Sequence, residues 1–67
     1  MIDELELSAI VADVFSKNPG CVEDAIVQES AVHFIVGLVV KETKADVDPK
    51  MVYSLVRREL YAEAKNH

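Results

Sequence analysis

The run Ala31-Val32-His33-Phe34-Ile35-Val36-Gly37-Leu38-Val39-Val40 carries eight apolar residues in ten, and a chain of 67 residues must find cover for most of it. A segment this apolar is either a fully buried strand or a helix covered on nearly every side, and periodicity alone does not separate the two. Three observations favour the helix. No second strand pattern exists for it to pair with, Gln28-Glu29-Ser30 offers a start, and Lys41 and Lys44 fall where cations suit the end of a helix dipole. On a helix the polar positions Ser30, His33, Gly37, Lys41 and Lys44 form one narrow stripe, so the segment is expected to be a central helix buried almost all round.

Size makes that burial necessary. A chain this short hides only about 60% of its unfolded surface, and its apolar gain roughly cancels its ordering entropy. One cysteine, Cys21, forms no internal disulfide, and Cys21, His33 and His67 do not space as a zinc site. With 51% hydrophobic residues and only two glycines and two prolines, disorder is excluded. No apolar run reaches the ~20 residues of a membrane span, and no basic segment precedes a leader-like stretch. The composition therefore predicts a soluble, intracellular, single domain over residues 1–67.

The remaining elements read as helices. Leu7, Ile10, Val11 and Val14 recur at helical spacing between Asp3 and Lys17, with Asp3 as the cap and Glu6 three residues later. Asn18-Pro19-Gly20 ends this helix, with Asn18 expected to tolerate the left-handed region and Gly20 to close the turn. Residues 21–27 read as a short connecting helix with Val22 and Ile26 facing inward. Asp48-Pro49 is a cap followed by proline at the first helical position, and Val52, Leu55, Val56 and Leu60 mark a last helix to about Ala64. The fold class expected is all-α, a small bundle of three main helices plus the short connecting one.

The formal net charge of −5 speaks against a general nucleic-acid coat, which needs clustered Lys and Arg. That charge is unevenly placed. Residues 1–33 hold seven acids against Lys17 alone, whereas residues 34–67 hold five acids against six bases, Lys41, Lys44, Lys50, Arg57, Arg58 and Lys65. Such blocks describe either a solvated surface or a two-sided module with one face toward a polyanion.

No catalytic constellation is legible: no phosphate-cradling glycine loop, no nucleophile with its base, no metal-ligand spacing. His33 reads as a polar-stripe or partly buried histidine, Cys21 as a packing or indifferently exposed residue, and Asp13, Glu23 and Asp24 as surface acids. Gly37 is more informative, because glycine inside a helix costs ~1 kcal/mol relative to alanine. Either a neighbouring helix of this domain packs tightly there, or the backbone of an RNA or partner protein comes close. If the last two helices run antiparallel, Lys41, Lys44 and Lys50 gather near their shared loop, and Arg57 and Arg58 extend the basic surface.

The run Phe34-Ile35-Val36-Gly37-Leu38-Val39-Val40-Lys41, then Thr43-Lys44 and Asp48-Pro49-Lys50-Met51-Val52, resembles a known family pattern. It is similar to the GatB/YqeY domain, the C-terminal tail of the B subunit of aspartyl/glutamyl-tRNA amidotransferases. Upstream, Ile10-Val11, Asn18-Pro19, Val22, Glu23 and Asp24 fit the same pattern, so the likeness runs from about Leu7 to Leu60. The chain departs from it at Ala45 and Asp46, where glycine and then often a base are common. It departs also at Glu29 and Ser30 where lysines are common, at His33 where a small residue is usual, at Ala25 where an aromatic is common, and by one residue between Asn18 and Gly37.

The resemblance implies an all-helical, non-catalytic tail that grips the body of a tRNA, cut from a subunit several times longer and starting at an added or chance Met1. The parent enzyme, a ligase, hydrolyses glutamine and uses ATP and magnesium to convert Glu-tRNA(Gln) or Asp-tRNA(Asn) to Gln- or Asn-tRNA; the tail itself holds no cofactor. Gly37, Lys41, Lys44 and Lys50 are thereby assigned to the tRNA-facing surface. The partners implied are tRNA and the remaining domains and subunits, with no membrane, in the cytoplasm or an organellar matrix. The competing expectation is a protein-docking module using the acidic first helix, with Glu4, Glu6 and Asp13 on its working face.

Overall fold

The computed structural model describes residues 2–65. Four helices follow in chain order: α1 (Glu4–Lys17), α2 (Pro19–Val27), α3 (Glu29–Glu42) and α4 (Pro49–Lys65). No strand occurs among the described residues, and the bundle measures 33 × 20 × 20 Å. The all-α expectation is therefore met.

Local chemistry sets most boundaries. The Asp3 carboxylate accepts the Glu6 backbone N–H at 2.8 Å, satisfying one of the orphan donors of the first turn. At α4 the Asp48 carboxylate accepts the Lys50 N–H at 3.0 Å, and Pro49 follows where its missing N–H costs nothing.

The first turn differs from expectation. Asn18 has φ −133°, not a left-handed value, and its side-chain amide donates to the Val14 carbonyl at 2.8 Å. Pro19 and Gly20 do not form a loop but begin α2, because proline's fixed φ suits a helix start. Gly20 has no positive φ.

The left-handed residues lie after α3 instead. The Ala45 N–H reaches the Val40 carbonyl at 2.9 Å and the Lys44 N–H the Lys41 carbonyl at 3.1 Å. This is a Schellman closure, which requires positive φ where glycine is usual. Lys44 (φ 55°) and Ala45 (φ 62°) occupy it. Lys44 therefore does not continue the helical stripe of Ser30, His33, Gly37 and Lys41, because α3 stops at Glu42.

The core is one cluster. Leu7, Val11, Val14 and Phe15 of α1 meet Val22 and Ala25 of α2, Val32, Ile35 and Val39 of α3, and Val52, Leu55, Val56 and Leu60 of α4. In α1, Phe15 is buried where Ile10 is only half-buried. In α2, Ala25 faces inward and Ile26 is 36% exposed, because the smaller residue lets the short helix approach.

α3 packs against all three other helices. Its cover is nonetheless incomplete, since Phe34 is 56% exposed and Gly37 is exposed. Its neighbours leave one arc of the cylinder open, and Phe34 falls on that arc with Ser30, Gly37 and Lys41. No helix among the described residues is long and apolar enough to cross a membrane.

Candidate nucleic-acid interface

α4 sorts its charges by face. Lys50, Ser54, Arg57, Arg58, Tyr61 and Lys65 are all exposed and recur at three- and four-residue spacing, which lines them along the outer side of the helix. Its acids Glu59 and Glu63 are half-buried on the opposite side; Glu63 lies in a hollow with Phe15, Pro19 and Val22. An acidic chain thus presents one helix face on which Lys50, Arg57, Arg58 and Lys65 stand without an intervening carboxylate of α4. Tyr61 is 71% exposed at the centre of that face, with the Lys65 ammonium 5.8 Å from its ring centroid.

The outer face of α3 adjoins it across a polar seam. The Tyr53 hydroxyl donates to the Glu29 carboxylate, and Arg57 donates to the other Glu29 oxygen at 2.8 Å. The His33 ring stacks on Tyr53 with centroids 5.5 Å apart, and His33 Nε2 lies 3.8 Å from Glu29. Arg57 also sits over the Tyr53 ring at 5.8 Å. Glu29 opposite Arg57 and His33 opposite Tyr53 make α3 and α4 antiparallel, the arrangement that a basic cluster near their loop requires. The Tyr53 hydrogen bond, aided by Arg57 and His33, holds the Glu29 carboxyl below its ordinary range, and the same bond raises Tyr53.

The six residues expected from the sequence to form the surface fall in different settings. Lys41 and Lys44 line a cleft of about 470 Å³ with Asp13, Lys17 and Glu42, and Lys50 is not among its lining residues. Lys17 is tied to Asp13 at 3.0 Å, which raises its pKa. Arg57 is committed to Glu29. Lys41, Lys44, Lys50 and Arg58 have no ion pair among the described residues. At Gly37 an added Cβ would meet nothing within 4 Å, so packing inside the domain does not account for this glycine.

Phe34, Tyr61 and Lys65 join this surface without having been expected there. For Tyr61 and Lys65 a signal exists in the sequence, since their spacing continues that of Lys50, Ser54 and Arg57. Phe34 offers none inside an apolar run. Cys21 is free and half-exposed, and no group of three or more metal-ligating side chains occurs among the described residues. His67 lies outside them.

A second cleft, of about 500 Å³, runs between α2 and α4. Ala25, Ile26, Leu60 and Ala64 supply its apolar lining, and Ser54, Arg57, Arg58 and Tyr61 complete it. Unpaired cations, exposed aromatics and an unhindered helical glycine suit contact with a phosphate backbone.

Fold and surface define a small all-α bundle, its basic face on α4 set against an acidic remainder. The chain belongs to the GatB domain family, whose model matches residues 1–60. It is 46% identical over 59 residues to the B subunit of the aspartyl/glutamyl-tRNA(Asn/Gln) amidotransferase of Caldanaerobacter subterraneus, covering 87% of this chain and 12% of that protein. The protein of the same name from Carboxydothermus hydrogenoformans is 41% identical over 82% of this chain and 12% of its own length. That from Methanopyrus kandleri is 36% identical over 87% of this chain and 13% of its own. The chain thus spans about an eighth of the length of these relatives. No solved structure matches it.

Proposed function

We propose that this chain is a non-catalytic tRNA-binding tail domain of a glutamine-hydrolysing, ATP-dependent amidotransferase that converts Glu-tRNA(Gln) or Asp-tRNA(Asn) to Gln- or Asn-tRNA. The observation that carries the reading is the outer face of α4, where Lys50, Arg58 and Lys65 stand without ion pairs among the described residues, beside exposed Tyr61. Phosphate contacts of this kind position a nucleic acid without reading its sequence. Gly37 supports it, because a bare backbone with open space above admits a ribose-phosphate chain that a side chain would hold off.

In this reading ATP and magnesium belong to the rest of the enzyme, as do the other subunits, and the setting is cytoplasmic. Titration of the chain with tRNA at low salt tests it. The amides of Gly37, Lys41, Lys50, Arg58 and Lys65 shift, and the shifts collapse as salt rises. Silence toward tRNA, with a protein partner perturbing Glu4, Glu6 and Asp13, contradicts it. Leu5, 84% exposed between Glu4 and Glu6, is the feature on which that second outcome would rest.

A further inference from the structure

The cleft between α2 and α4 is more than a continuation of a charged face. Ile26 of α2 and Leu60 and Ala64 of α4 give it apolar lining, and its volume of about 500 Å³ is that of an open groove wide enough to admit a small planar group. Three of its lining residues carry chemistry: Tyr61, which is 71% exposed with the Lys65 ammonium 5.8 Å from its ring centroid, and Arg57 and Arg58. No carboxylate among the described residues lines it.

We propose that this cleft receives an unpaired base from an RNA loop, with Tyr61 as the stacking platform and Arg58 meeting the adjoining phosphate. Arg57 contributes differently. Glu29 holds one of its nitrogens at 2.8 Å, which fixes the guanidinium and leaves its other N–H groups available.

Two observations favour a nucleotide over an acidic peptide. The cations do not stop at the cleft but continue along α4 from Lys50 to Lys65, about 22 Å at helical rise, a track suited to a phosphodiester backbone rather than one carboxylate. The aromatic ring stands among these cations, and an aromatic platform inside a basic track is how proteins hold single-stranded bases.

The proposal rests on the tRNA reading above but can fail separately from it. The experiment compares four probes against the 67-residue chain at low salt: three RNAs (tRNA, a homouridine oligonucleotide and a blunt RNA duplex) and a polyglutamate peptide. Homouridine is expected to compete with tRNA and to shift the amides of Ile26, Tyr61 and Ala64. Tyr61→Ala should weaken homouridine binding about 5- to 150-fold and duplex binding far less, with the thermal melt unchanged, and Tyr61→Phe should restore homouridine binding. Equal binding of homouridine and duplex, both indifferent to Tyr61→Ala, overturns the base site and leaves the tRNA reading standing. Failure of all three RNAs to bind overturns both. A polyglutamate peptide that shifts the same amides where homouridine does not also overturns it, and makes the cleft a protein site.

Discussion

Tyr53 of α4 donates its phenolic proton to the carboxylate of Glu29 of α3, across 24 residues of sequence, and Arg57 takes the other oxygen of the same carboxylate. This pair pins the start of α3 to α4. It also neutralises one of the cations that a polyanion would otherwise meet.

Acid should loosen the bundle through Glu29. Its folded-state pKa is lowered, first by Tyr53, so its contribution is present above the ordinary glutamate value and is lost as pH falls through the lowered one. Tyr53 is raised by the same bond, so its part is present below the ordinary tyrosine value and lost as pH climbs through the raised one. Carboxyl NMR titration of Glu29 should give a depressed midpoint that moves up toward the usual value in Tyr53→Phe. An unchanged midpoint would contradict the bond.

Glu29→Gln should strengthen tRNA binding. It removes a carboxylate beside the basic face and releases Arg57, adding about one phosphate contact and steepening the salt dependence by about one unit. Affinity measured across a salt series checks this; a weaker complex would mean that Glu29 serves to orient Arg57 for its ligand.

Ala45→Gly should stabilise the fold. An L-residue in the left-handed region costs roughly 1–2 kcal/mol, partly offset by the extra freedom glycine gives the unfolded chain. A net gain of about 0.5–1 kcal/mol corresponds to several degrees in Tm for a chain of this size, read by circular dichroism.

Gly37→Ala should separate stability from binding. The new methyl meets nothing, so the helix gains about 1 kcal/mol of propensity and the melt moves up. The tRNA complex should weaken at the same time. A variant that is more stable and binds equally well would remove Gly37 from the interface.

Much of the fold is legible in the sequence because its signals are local. Asp3 and Asp48-Pro49 mark helix starts through atoms within three residues, and the Leu7, Val11 and Val14 stripe is one-sided. α3 is legible as a helix but not in its orientation. A segment apolar nearly all round does not say which residue is left over, and Phe34 is exposed only because of where the neighbouring helices sit. The end of α3 is hidden for another reason: its left-handed closure is made by Lys44 and Ala45, with no glycine to announce it. Lys50, Arg57 and Arg58 read as basic in any sequence, but the Glu29–Arg57 pair is a tertiary interaction and leaves no local mark.

The most direct test of the central claim is the salt dependence of tRNA affinity for the chain and for Lys50→Ala/Arg58→Ala/Lys65→Ala. The account predicts binding at low salt whose logarithm falls linearly with that of salt. The triple variant should be weaker at every salt, with a slope shallower by roughly 0.7–0.9 for each phosphate that it no longer neutralises. An identical slope and affinity in the variant, or no binding by the chain at low salt, would contradict it.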